Sequence, residues 1–172
     1  FTGIRVGELC ALRWENICLQ DRVLCVQHTM QRIQTDMPSD QKTKVMITSP
    51  KSKHSIRVIP LPEDFAKLLA SIQPESSSGF FLTGREHHWV EPRSMQNHFK
   101  RVLQCCAIAP ANFHALRHTF ATRCVELGFD LKSLSEILGH ANVNITMNRY
   151  VHPSMELKRD HMQKLSSLFA VK

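Results

Sequence analysis

The period of the apolar residues changes twice along this chain, and that double change restricts it to a fold of mixed helix and sheet. Residues 3–14 put Val6, Leu9 and Cys10 on one helical stripe and Arg5 with Glu8 on another. Thr2 is the predicted N-cap, which leaves Arg5 in the first turn beside free backbone N–H groups. The period then shortens. Residues 22–27, 45–48 and 56–61 are β-prone runs that fit a small antiparallel sheet. Between the last two, Ser49-Pro50-Lys51-Ser52-Lys53-His54-Ser55 reads as a polar hairpin turn carrying two lysines, and 35–44 reads as a loop.

After Pro62 the helical period returns and holds. Helices are predicted over 63–73 and, past a Ser/Gly break at 76–79, over 92–107. Pro92 suits the first helical position, and Met95, Phe99, Val102, Leu103 and Cys106 form the apolar stripe. Asn112 caps the next helix, and Gly128 ends it. Its stripe of Phe113, Leu116, Phe120, Cys124 and Leu127 turns His114 and Arg117 partly away from the deepest core. Asp130 caps a short helix to Leu138, with Gly139 in the left-handed position that follows a helix end. A further short helix carries Ile145 to Tyr150. Pro153-Ser154 opens a last one, a tail over 154–170 with Leu157, His161, Leu165 and Leu168 on one side. No repeat or linker interrupts the chain. The reading is one α+β domain over 1–172, mainly α-helical, with a small three-stranded antiparallel sheet on a helical core.

Lys and Arg number 22 against 15 Asp and Glu, a formal charge of +7, which favours an anionic partner such as nucleic acid. The six cysteines form no Cys-x-x-Cys pair and fit buried thiols in a reducing compartment. No apolar run approaches the roughly 20 residues that span a bilayer, so no membrane partner is expected. The chain opens on Phe1-Thr2 almost directly before a motif, and reads as a piece of a longer protein.

Few residues carry chemistry by themselves. Arg5 with Glu8 is an ordinary helix pair. Lys51 and Lys53 are ordinary solvated charge. His114 and Arg117, three apart at a helix N-terminus, fit a phosphate, but taken alone they fit better a structural salt bridge of Arg117 and a hydrogen-bonded core histidine at His114. His114 and His118 have the spacing of zinc ligands, but the glutamate of the metalloprotease signature is missing, and no metal is expected. Tyr150 is the only tyrosine.

The order of these residues says more than any one of them. Thr2-Gly3-Ile4-Arg5-Val6-Gly7-Glu8-Leu9, a lysine in a β-turn, His114-Ala115-Leu116-Arg117-His118, Leu138-Gly139-His140 and Tyr150 follow one another at sensible distances. In this order the chain resembles the catalytic domain of the tyrosine recombinases, the phage-type integrase family. Residues 144–153 are similar in flavour to integrases of bacterial mobile elements, conjugative transposons included. The resemblance implies catalytic roles for Arg5, Lys51, His114, Arg117, His140 and the nucleophile Tyr150, with Glu8 and His118 in support and Lys53 as the neighbour that mimics Lys51. It further implies a site-specific recombinase that cleaves and rejoins DNA through a 3′-phosphotyrosyl intermediate. His114 would be the base and Lys51 the acid, with neither metal nor other cofactor. The implied partners are double-stranded DNA, a homo-tetramer on two DNA sites (a monomer without DNA) and an accessory excision factor. The implied setting is the bacterial cytoplasm and nucleoid. The amino-terminal DNA-binding half of the family is missing from the match, so weak, salt-dependent DNA binding is expected. A type IB topoisomerase-like enzyme and a noncatalytic DNA-binding module remain as alternatives. Relaxation of plasmid lacking any recombination site would separate the first of these; the intact catalytic set argues against the second.

Overall fold

The computed structural model describes residues 1–34, 43–49, 53–75, 78–150 and 155–165. In chain order its elements are α1 (Val6–Ala11), β1 (Ile17–Cys18), β2 (Val23–Val26), β3 (Thr29–Gln34), β4 (Thr43–Thr48), β5 (Arg57–Pro60), α2 (Glu63–Ser71), α3 (Pro92–Cys105), α4 (His114–Glu126), α5 (Leu131–Leu138), α6 (Val143–Tyr150) and α7 (Met155–Lys164). Short 3-10 turns lie at Trp14–Asn16 and Lys53–Ser55. This is the mainly helical α+β architecture expected.

The strands divide between two antiparallel sheets. One has three strands in the order β1-β2-β5, with Leu24 opposite Ile59 and Val26 opposite Arg57. The other is a ribbon of β3 and β4, with Met30 opposite Ile47. The three-stranded sheet was expected, but its membership differs. Residues 45–48 belong to the ribbon, Ile17–Cys18 supplies the third strand, and Thr43 and Lys44 are strand rather than loop. Two residues are too few for an alternation to be read, and in β3 only Met30 is buried. β4 and β5 therefore belong to different sheets and do not pair with each other. Lys51 and residues 35–42 lie outside the described residues.

Three apolar nuclei hold the elements. Leu12, Trp14, Ile17, Leu24, Val26, Ile59, Leu61, Ala66 and Leu69 join the end of α1 and the three-stranded sheet to α2. Cys10, Ala11, Met30 and Phe80 tie α1 to the ribbon. Ala121, Cys124, Leu134 and Leu138 join α4 to α5, with Tyr150 of α6 packed against them. On α4 the predicted stripe is rotated. Leu116 and Leu127 are 49% and 77% exposed, while Arg117, at 3%, takes an inward position beside Ala121 and Cys124. An arginine can occupy that row because its N–H groups find carbonyls there. The thiols also depart from expectation: Cys10 and Cys124 are buried, but Cys105 and Cys106 are exposed.

The helix ends follow local chemistry. Asp130, the cap of α5, accepts the Ser133 N–H on Oδ2 at 2.8 Å. The cap of α4 is Phe113 rather than Asn112, although Asn112 Oδ1, one residue earlier, accepts the Ala115 N–H at 3.0 Å. α1 begins later than predicted. Arg5, not Thr2, is its cap, and Glu8 reaches back to accept the Arg5 backbone N–H at 2.8 Å. The same carboxylate accepts Arg5 Nη1 at 2.7 Å, Arg57 Nη1 at 3.1 Å and Arg57 Nη2 at 2.9 Å. Glu8 is thereby buried against two guanidinium groups, and it fastens α1 to β5. Burial by itself would raise its pKa, but the hydrogen bonds and charge of Arg57, then of Arg5, win and lower it.

A carboxyl depressed in the folded state stabilises the fold above its unfolded pKa of about 4.3, and that stability is lost as the pH falls through the folded value. Glu8→Gln, which leaves Arg57 buried without a counter-charge, should lose about 3–5 kcal/mol at pH 7. Urea denaturation of both chains at pH 7 and in acid should show the gap narrowing as wild-type Glu8 protonates. A gap that stays constant would deny Glu8 this role.

Candidate active site

Three arginines meet at the end of one helix. The last carbonyls of a helix lack partners within it and carry the negative end of its macrodipole. At the end of α5, the Ile137 carbonyl accepts Arg57 Nε at 2.6 Å, the Leu138 carbonyl accepts Arg117 Nη2 at 2.7 Å, and the Gly139 carbonyl accepts Arg5 Nη2 at 3.1 Å. Gly139 is left-handed, with φ 66° and ψ 47°, as predicted. A Cβ there would also stand 3.0 Å from Arg57 Cδ, so the close approach itself calls for glycine. Arg117 Nη1 donates at 2.7 Å to the carbonyl of Gly3, where a Cβ would meet the Phe120 ring at 2.5 Å.

The convergence concentrates positive charge. Burial, then the neighbouring Arg5 and Arg57, lower the Arg117 pKa to about 10, so the guanidinium stays charged at neutral pH. Arg5 and Arg117, with His114, Asn112 and the α3 side chains Gln96 and Lys100, line a cleft of about 400 Å³. A cleft with two fixed guanidinium groups suits a phosphate oxyanion.

His140 follows Gly139 directly. Its backbone N–H donates to the Ser135 carbonyl at 3.0 Å, and its Nδ1 lies 2.8 Å from Oγ1 of fully buried Thr146 on α6. Burial first, then Arg117, Arg5, Arg149 and Arg57, push its pKa down to about 4, so the ring is neutral at neutral pH. Four residues beyond Thr146, the Tyr150 hydroxyl lies 3.0 Å from His118 Nδ1. The His118 ring in turn meets that of His114 edge to face, 4.7 Å between centroids. His114 is lowered by burial, then by His118 and Arg117; His118 is lowered by burial, then by Arg149 and Arg117.

Arg5, Glu8 and Arg117 are therefore brought together, His140 follows directly on the Gly139 that Arg5 holds, and Tyr150 meets His118, which in turn touches His114. His114, the expected base, faces the cleft, and the histidine that meets the phenol is His118. Lys51 is outside the described residues, and only the backbone of Lys53 is described. Three contributors escaped the sequence reading. Arg57 had a visible signal: it shares the inward phase of β5 with Ile59, an unusual place for a charge. Thr146 and Lys100 had none, because one polar residue in a short helix and one lysine on a polar helix face are ordinary.

The Phage integrase family matches residues 1–156. A tyrosine recombinase XerC-like protein of Caldanaerobacter subterraneus subsp. tengcongensis is 30% identical over 184 aligned residues, covering 98% of this chain and 47% of the relative. The transposase from transposon Tn916 of Enterococcus faecalis is 25% identical, over 96% of this chain and 43% of its own length. Among solved structures, the Tn1549 transposon integrase in complex with a circular intermediate DNA aligns with a TM-score of 0.75 at 25% identity, over 95% of this chain and 55% of that one. This chain thus spans about half the length of these relatives. The family match runs from the Gly3 turn through the Tyr150 helix and takes in every member of the arginine cluster, so the chain belongs to the phage integrase family of tyrosine recombinases.

Proposed function

We propose that this chain is the catalytic part of a site-specific DNA recombinase of a mobile element, and that it cleaves and rejoins strands through Tyr150. The observation that carries the reading is the placement of the only tyrosine: its hydroxyl meets His118, whose ring touches His114 of the cleft that Arg5 and Arg117 line. The similar Tn1549 transposon integrase, solved with a circular intermediate DNA and with transposon right end DNA, supports DNA as the substrate. A tetramer on two DNA sites is the assembly proposed, with the α7 tail packing in cis or on a neighbouring protomer. An accessory factor would set the direction of the reaction.

The chemistry follows from the groups. A phosphodiester is a poor electrophile, and fixed cations aimed at its nonbridging oxygens stabilise the charge that develops in the transition state. Arg5 and Arg117 fill that role without reorganising, since α5 and Glu8 already hold them. When His140 Nδ1 accepts the Thr146 hydroxyl, Nε2 carries the ring hydrogen and donates to the same phosphate. Tyr150 attacks phosphorus, an imidazole of α4 receives the phenol proton, and the leaving 5′ oxygen is protonated by Lys51. The phosphotyrosyl bond conserves the phosphodiester energy. A 5′ hydroxyl from a partner strand reverses the step.

On a nicked suicide duplex made from the element's own ends, the wild-type chain should form a covalent protein–DNA adduct and Tyr150→Phe should form none. Arg117→Ala should slow adduct formation by about 2–4 kcal/mol of transition-state stabilisation, by analogy with the loss of an oxyanion donor. An adduct from Tyr150→Phe would remove the nucleophile assignment. A second comparison addresses the acid: Lys51→Ala and Lys53→Ala are assayed on DNA with an activated 5′ leaving group. That substrate should restore Lys51→Ala to near wild-type rates and leave Lys53→Ala unaffected. Rescue of Lys53→Ala instead would exchange the two roles.

A further inference from the structure

We propose that His118 is a catalytic residue, the one whose Nδ1 takes the phenolic proton of Tyr150 as the covalent bond forms, while His114 serves the phosphate. The inference rests on the strand-transfer reading above and deepens it. Two contacts carry it. The Tyr150 hydroxyl lies 3.0 Å from His118 Nδ1, within the reach a general base requires. His114 lines the arginine cleft and touches His118 edge to face, so His118 stands between the cleft histidine and the phenol. His118 also lines a second hollow of about 390 Å³ with Asn112, Thr119, Thr122 and Glu126, which gives its ring a route to pass a proton to water.

The step balances. The Tyr150 oxygen forms a bond to phosphorus and its proton moves to His118 Nδ1. The bond from phosphorus to the 5′ oxygen breaks, its electron pair stays on that oxygen, and the oxygen is protonated by the lysine acid or by water. In the reverse step the His118 imidazolium returns its proton to the phenol. The groups that face His118 are His114 and Arg117 of α4 and Arg149 and Tyr150 of α6. Burial and the two arginines keep the free ring neutral, with Nδ1 available as an acceptor. An arriving phosphodiester offsets the charge of Arg117, which raises the basicity of the ring when the reaction needs it.

Because Tyr150 is the only tyrosine of this chain, its acidity can be changed alone. The probe is thymidine 3′-(4-nitrophenyl phosphate), which needs neither a target sequence nor a leaving-group acid, and the readout is the mass of the covalent adduct and its rate. His118→Phe keeps the ring packing but removes the acceptor, and His118→Asn keeps an acceptor near the Nδ1 position. At neutral pH His118→Phe should slow adduct formation about 100-fold, in the range of general-base effects, and His118→Asn should recover at least about a tenth of the wild-type rate. With trifluorotyrosine at position 150, a phenol that ionises near neutral pH, the His118→Phe deficit should nearly vanish, while that of His114→Phe should persist. Circular dichroism checks that each variant is folded. A His118→Phe rate equal to wild type, or a deficit that trifluorotyrosine leaves untouched, would reduce the contact to packing and overturn the proposal. If the wild-type chain forms no adduct through Tyr150, the strand-transfer reading itself falls, and this assignment with it.

Discussion

The C-terminal end of α5 is the constraint on which the site depends. Its last three carbonyls, those of Ile137, Leu138 and Gly139, each receive a different arginine, from β5, α4 and the start of α1. Three guanidinium groups held this close repel one another. The arrangement persists because each finds a carbonyl at the negative end of a helix, and because Glu8 supplies a buried counter-charge to two of them. Arg57 needs no substrate to have a purpose. Its hydrogen bonds all go to Glu8 and to the backbone carbonyls of Ile137 and Ser55.

Burial first, and then neighbouring positive charge, sets the state of the histidines. His114, His118 and His140 all lie within reach of the arginines, and all three are held below the ordinary imidazole value. At neutral pH the site therefore holds charged guanidinium groups beside imidazoles whose pKa values are depressed. The tyrosine is placed from another direction. Tyr150 rests on the apolar contact between α4 and α5, so the packing that orders these helices also sets where the phenol lies.

Much of this was legible in the sequence because local signals and chemistry agreed. Asp130, Gly139 and Pro92 mark helix ends by rules that need no tertiary context, and the structure places them there. The order of Arg5, His114, Arg117, His140 and Tyr150 pointed to the family that the comparison shows. What escaped was decided by pairing at a distance. β1 and β3 are too short or too polar to show an alternation, so the partner of residues 45–48 was misassigned. The face of α4 was misjudged because an arginine was assumed to look outward, whereas the Gly3 and Leu138 carbonyls draw Arg117 in. His118 was expected in support, by packing or behind the site, and no local signal shows that α6 places the Tyr150 hydroxyl 3.0 Å from its ring. No local pattern marks Arg57 as the partner of Glu8, 49 residues away.

The central claim is that one chain supplies both the arginine cluster and the tyrosine that attacks the phosphate it holds. Complementation tests this most directly. A Tyr150→Phe chain and an Arg117→Ala chain are each incubated with the labelled suicide duplex, alone and then mixed in equal amounts. Assembly in cis requires the mixture to form no more covalent adduct than the two chains do separately, while the wild-type chain forms it readily. A mixture that regains adduct would mean that Tyr150 of one chain enters the arginine site of another, contrary to the arrangement described.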